Sequence, residues 1–136
     1  MDFEPVVMHY LAAQGLFLSP QFSIPNATVR EWSCPDFVAL DFIKKQAQVV
    51  EVTIADNVRN LVAKIQNREN QWFQPLKSHL LERKVIDPRW CFVVRAFVRG
   101  DRFDYVHARF KDDKDVIIER IEDVTFSWKW PWKEWA

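Results

Sequence analysis

The sequence predicts an α/β domain, with α+β as the alternative, in which helices flank a mixed central β-sheet. Three observations lead to this prediction. The chain has 136 residues, the size of one hydrophobic core. Residues 90–98 form a nearly continuous apolar run, which is typical of a buried central strand. Short β-rich segments alternate with segments of helical periodicity, as expected for a sheet covered by helices.

The first half of the chain predicts a helix followed by a β-hairpin. Apolar residues from Val6 to Leu11 lie at helical spacing, and Gly15 is a natural helix end. Residues 16–33 are expected to be irregular or weakly extended. Residues 36–43 and 47–54 are short and β-rich, and they predict two strands joined at a turn.

The second half predicts a long helix, two strands and a last helix. Apolar residues from Val58 to Leu80 keep one helical stripe, which Pro75 should kink or split. The apolar run at 90–98 predicts the central strand. Residues 103–110 are predicted to return as a further strand after a turn at Gly100. The last helix is predicted to open at residues 112–115 and to carry Val116, Ile117, Ile121 and Val124.

Composition limits the classes of function. The 19 basic and 19 acidic residues cancel, but residues 43–109 carry 13 basic and 7 acidic side chains, a net charge of +6. With only two glycines, Gly15 and Gly100, the chain has no glycine-rich loop for nucleotide phosphates. No apolar run approaches the ~18 residues of a membrane span. The acidic N-terminus lacks the basic start of a signal peptide, so we expect a cytoplasmic protein without membrane association.

Two carboxylates are the best candidates for chemistry. Asp36 follows Pro35 in the first hairpin strand, and Glu51 lies in the second. With the hairpin tip at Lys44 and Lys45, Asp36 should lie opposite Thr53, and Glu51 should share their face at the diagonal position, about 7–8 Å away. Mg²⁺ prefers oxygen ligands and is often held by one or two carboxylates together with substrate phosphate.

At these residues the chain resembles the PD-(D/E)XK nuclease superfamily, whose fold is restriction-endonuclease-like. The resemblance covers residues 4–98: a helix, a hairpin with two acids, a helix and a buried strand. It implies a single nuclease-like domain over residues 1–126 that binds Mg²⁺ or Mn²⁺ and hydrolyses DNA phosphodiester bonds. Asp36 matches the first acid and Glu51 the second. Glu4 could match an additional metal-binding acid that some members carry.

The position of the family's catalytic lysine is occupied by Thr53. The hairpin tip is too distant for its lysines to substitute, so Arg59 or Lys64 on the following helix is the nearer candidate for a migrated charge. The alternative is a catalytically inactive module that binds DNA or a protein partner within a larger assembly. A blander interpretation makes Asp36 and Glu51 polar residues on a solvated sheet face.

Two further groups are candidates for binding. Arg68, Arg95 and Arg99 could contact a phosphate backbone, although salt bridges within the chain would account for them equally well. A tryptophan-rich C-terminal segment, residues 127–136, could pack on its own domain, on a protein partner or on a second copy in a homodimer, or it could stack on nucleic-acid bases. Its candidate contact residues are Trp128, Trp130, Trp132 and Trp135.

Overall fold

The structure is a computed structural model, and it describes residues 3–24 and 34–125. Helices and strands alternate along these residues. The helices are α1 (Glu4–Ala13), α2 (Arg59–Gln66), α3 (Gln74–Glu82), α4 (Gly100–Phe110) and α5 (Ile121–Thr125). The strands are β1 (Phe17–Pro20), β2 (Phe37–Asp41), β3 (Gln46–Val52), β4 (Cys91–Val98) and β5 (Val116–Arg120).

The strands form one mixed sheet of five strands in the order β1-β2-β3-β4-β5. β2 is antiparallel to both β1 and β3. β4 is parallel to both β3 and β5. Parallel neighbours need a crossover connection. Here α2 and α3 lie in the connection from β3 to β4, and α4 lies in the connection from β4 to β5. The predicted mixed sheet flanked by helices is therefore confirmed.

Helices cover both faces of the sheet and create two hydrophobic cores. The larger core joins one sheet face to α2, α3 and α4, and its centre includes Val49, Ala96 and Trp72. The smaller core joins the other face to α1 and α5, through residues such as Val50 and Phe97. Alternation along a strand sends neighbouring residues to opposite cores.

The predicted hairpin register is wrong by two residues. Asp41 pairs with Gln46, so the turn spans residues 42–45 instead of centring on Lys44 and Lys45. Two backbone N–H groups of the turn, those of Ile43 and Lys44, donate to the Asp41 carboxylate at 3.1 and 3.0 Å. Lys45 adopts a left-handed conformation with φ of 54°. This side-chain capping sets the turn without glycine.

The predictions for residues 103–110 and 112–124 are also wrong in part. Residues 103–110 belong to helix α4, whose buried residues Val106 and Phe110 lie four apart. The β-branched run that begins at Val116 forms strand β5, with Val116 and Ile118 buried and Ile117 exposed. A helix between β4 and β5 is what a parallel pair requires, and three successive β-branched residues favour the strand.

The long predicted helix is divided, as expected. A π-helical turn at Glu69–Phe73 separates α2 from α3, and Pro75 lies in the first turn of α3. Proline is tolerated there because first-turn N–H groups have no partner within their helix. No helix among the described residues is long and apolar enough to cross a membrane.

Candidate metal site at the end of strand β3

Asp36 and Glu51 lie at the same end of two paired strands. Asp36 directly precedes β2, and Glu51 is the penultimate residue of β3. Since Phe37 pairs with Val50, continuing the register by one residue places Asp36 opposite Glu51. Directly opposed side chains on one sheet face are closer than diagonal ones. The face is the one covered by α2, α3 and α4, because Val38 and Val49 belong to that core.

The backbone on both sides fixes Asp36. The Val52 N–H donates to Asp36 Oδ2 at 2.7 Å, which ties the carboxylate to the end of β3. The Gln21 N–H donates to the Asp36 carbonyl oxygen at 2.8 Å, which ties the backbone to the end of β1. The Val52 N–H binds one carboxylate oxygen of Asp36 and so fixes the position of the carboxylate. The other oxygen stays available for another contact.

The Glu51 carboxyl group meets Asp36 directly. The Asp36 side chain and backbone both lie close enough to influence the pKa of Glu51. Burial, reinforced by the negative charge of Asp36, raises the pKa of Glu51 from 4.5 to about 8. At neutral pH Glu51 is therefore mostly protonated in the absence of a cation. Both side chains are half-buried.

Lys64 supplies a positive charge at this site. It lies exposed on α2, and its ammonium group acts on Glu51 closely enough to lower the pKa of Glu51, against the larger effects of burial and Asp36. Arg59, the other candidate, is not among the groups that influence Glu51. Its backbone N–H donates to Asn57 Oδ1 at the start of the helix. Of the two candidate side chains, the electrostatic effect on Glu51 therefore favours Lys64.

Thr53 has a structural part in ending β3. Its N–H donates to the carbonyl oxygen of Phe97 at 3.0 Å, which continues the pairing with β4. Its hydroxyl oxygen accepts a hydrogen bond from the Ala55 N–H at 3.2 Å. A threonine hydroxyl carries no charge, so Thr53 does not replace the electrostatic action of a lysine.

The two carboxylates fit the donor set that Mg²⁺ uses, although they form a small one. No group of three or more His, Cys, Asp or Glu side chains in residues 3–24 and 34–125 is arranged to hold a metal ion. Glu4, at the first residue of α1, therefore does not complete a three-acid group with Asp36 and Glu51. Mg²⁺ commonly uses one or two carboxylates and fills its other positions with water and substrate phosphate.

The three candidate phosphate-binding arginines are paired with carboxylates of the chain. Arg68 donates to Asp115 at 2.7 and 2.9 Å, while Arg95 is bound to Glu119. Arg99 is bound to Asp56 and, at 2.6 Å, to Asp101. These contacts lie at different places in the fold and form no common basic face. The tryptophans at 128, 130, 132 and 135 lie outside the described residues.

A second polar cluster was not predicted from the sequence. Gln48 on β3 and Arg95 on β4 are 5% and 8% exposed, and they lie on the sheet face opposite to Glu51. Glu119 on β5 joins them. The available signal was the interruption of apolar strands by single polar residues, which places those residues in or beside the core.

Comparison of the chain with protein-family models, with curated proteins and with solved structures returned no match.

Proposed function

We propose that the protein is a divalent-metal-dependent DNA endonuclease of the PD-(D/E)XK type. The observation that carries the proposal is the opposition of Asp36 and Glu51 at the ends of two paired strands, where each carboxyl group is close enough to act on the other and the charge of Lys64 acts on Glu51. The order of helix, acid-bearing hairpin, helix and buried strand agrees with the resemblance.

Asp36 and Glu51 would hold Mg²⁺ or Mn²⁺. Bringing two carboxylates together in a partly buried place is unfavourable unless a proton or a cation neutralises one of them. Bound there, the metal would lower the pKa of a coordinated water and neutralise charge on the phosphate. The Val52 N–H holds Asp36 in place, so the pair does not need to reorganise to accept a cation.

Lys64 would act on the phosphate from α2. Its exposed ammonium group can approach a bound phosphodiester while its charge acts on Glu51. A positioned positive charge stabilises the negative charge that develops during hydrolysis, and losing such a group typically costs about 10²–10³ in rate. Lys64 therefore stands in for the lysine that is missing at Thr53.

A nicking assay on supercoiled plasmid DNA tests this proposal. The wild-type protein should cleave with Mg²⁺ or Mn²⁺ and stop in EDTA. Asp36→Asn should abolish cleavage because it removes a charged oxygen ligand. Lys64→Met should slow cleavage about 100-fold or more. Lys111→Met, a change of an exposed lysine after α4, is the matched control and should cleave like the wild type.

The second candidate is the catalytically inactive module that binds DNA or a protein partner. The observation that favours it is Thr53, whose hydroxyl is engaged with the Ala55 N–H and supplies no charge. Pure wild-type protein that binds DNA or a partner but cuts nothing with either metal ion would support this candidate and refute the enzyme.

A further inference from the structure

A cleft of about 640 Å³ opens on the sheet face opposite to Asp36 and Glu51. It lies at the other end of β3, where the hairpin turn and the residues after α1 meet the sheet. The volume falls within the range of small-molecule sites. The residues that line it are Gln14, Gly15, Leu16, Asp41, Ile43, Lys44, Gln46, Gln48, Arg95 and Ile117.

The cleft exists because α1 is shorter than the strands that it covers. α1 has 10 residues and spans about 15 Å, whereas the 8 residues of β4 span about 26 Å. The apolar part of this face packs under α1 through Val50 and Phe97. Beyond the end of α1 the face becomes polar, at Gln48 and Arg95.

Arg95 anchors the floor of the cleft. Its Nη1 donates to Gln14 Oε1 at 2.9 Å and to Gln48 Oε1 at 3.4 Å, while Nε and Nη2 donate to Glu119. The guanidinium carbon also lies 5.8 Å from the centre of the Tyr10 ring. These contacts fix the buried cation, and Glu119, which balances its charge, is not part of the cleft lining.

The hydrogen bonds leave donors facing the cleft. Gln48 accepts from Arg95 through its oxygen and donates one amide hydrogen to Gln46 Oε1 at 3.0 Å, which leaves its second amide hydrogen for a ligand. The Gln46 amide nitrogen and the Lys44 ammonium group have no acceptor within residues 3–24 and 34–125. Asp41, the carboxylate in the lining, already accepts two turn N–H groups. Both of these N–H groups bind Oδ1 of Asp41, and the free donors on Gln46 and Lys44 favour a ligand that is rich in acceptors.

The spacing of these donors indicates the size of the ligand. Lys44, Gln46 and Gln48 follow one another along the turn and β3, over at most about 13 Å, because the chain rises ~3.3 Å per residue only within β3 and is tighter at Lys45. Inorganic phosphate is too small to span this distance. Leu16, Ile43 and Ile117 add apolar surface to the lining. The donors and the apolar lining together suit a ligand that has a negative group at one end, acceptors at the other and an apolar part.

We propose that this cleft is a binding site for a nucleoside monophosphate. The phosphate lies at Lys44 on the rim, and the base presents its acceptors to the Gln46 and Gln48 amides. The aliphatic side chains of the lining pack against the base. The site is separate from the Asp36–Glu51 pair and needs no metal ion, so it is independent of the proposed nuclease activity.

Isothermal titration calorimetry in EDTA tests the proposal with the four common ribonucleoside monophosphates. At least one should bind more tightly than its nucleoside and more tightly than inorganic phosphate, because each of those lacks one half of the contacts. Lys44→Ala should weaken that binding about tenfold. Gln48→Leu should weaken it similarly, and the exposed control Lys111→Ala should not.

Several results would refute the proposed binding site. One is the absence of binding by all four monophosphates. Another is unchanged affinity in Lys44→Ala, a surface variant that retains the fold even where Gln48→Leu does not. Binding that disappears in Asp36→Asn but persists in Lys44→Ala would assign the ligand to the carboxylate pair instead. In NMR spectra of the wild type, the side-chain amide signals of Gln46 and Gln48 should shift on titration, and unmoved signals would count against the cleft.

Discussion

Replacing Glu51 by glutamine should change how the stability of the protein depends on pH. Burial and Asp36 raise the pKa of Glu51 to about 8 in the folded chain, from an ordinary value of 4.5. Between these two values the folded state holds a proton that the unfolded state has released. The contribution of Glu51 to stability is therefore highest below about pH 4.5 and is lost as the pH rises through the folded-state pKa.

The size of this effect follows from the difference between the two pKa values. Each pKa unit corresponds to about 1.4 kcal/mol, so the free energy of unfolding should fall by at most about 4–5 kcal/mol between pH 4.5 and pH 8. Glutamine has nearly the same shape, carries no charge and can donate its amide hydrogen to Asp36. The Glu51→Gln variant should therefore lack this component of the pH dependence.

Urea denaturation in EDTA, followed by tryptophan fluorescence at pH 5, 6.5 and 8.5, measures the difference between the two proteins. With a urea dependence of about 2 kcal/mol per M, the midpoint difference between wild type and variant should change by up to about 2 M over this range. The exposed control Glu82→Gln should follow the wild type. Parallel pH profiles for wild type and Glu51→Gln would refute the buried, repelled state of Glu51.

Three further substitutions test other parts of the structure, each by urea denaturation. Arg95→Met should lower the free energy of unfolding by about 3–5 kcal/mol, because it leaves Glu119 partly buried without its cation. Adding Glu119→Met to the same chain should restore most of that free energy. Equal losses in the single and double variants would contradict this pairing. Lys84 has a φ of 59°, a left-handed conformation that glycine adopts without strain, so Lys84→Gly should raise the free energy of unfolding by about 1 kcal/mol. A loss of stability would show that the contacts of the lysine side chain outweigh the backbone strain. Asp115→Asn should lower the free energy of unfolding by about 1–2 kcal/mol, because it weakens two hydrogen bonds from Arg68. An unchanged free energy of unfolding would show that this contact does not stabilise the fold.

The pairing of the two carboxylates could be predicted from sequence because it depends on alternation. Asp36 and Glu51 share a sheet face in any register that differs by an even number of residues. Their direct opposition could not be predicted, since it depends on how Asp41 caps the turn. The turn contains neither glycine nor asparagine, so its length was not evident from its residues.

The connection from β4 to β5 shows where local patterns mislead. The segment Phe103 to Phe110 alternates well enough to resemble a strand, but its buried residues follow helical spacing. What decides between the two is the parallel pairing of β4 with β5, a long-range feature that requires a crossover. The cluster around Arg95 was missed for a related reason, because its partners Gln14 and Glu119 are distant in sequence.

Electron paramagnetic resonance of Mn²⁺ most directly tests the central claim, that Asp36 and Glu51 form a divalent-cation site. At pH 7.5 the wild type should bind about one Mn²⁺ per chain and release up to one proton, because Glu51 must give up its proton to ligate the ion. Asp36→Asn should not bind Mn²⁺. A wild-type protein that leaves all Mn²⁺ free, or an Asp36→Asn variant that binds as the wild type does, would contradict the account.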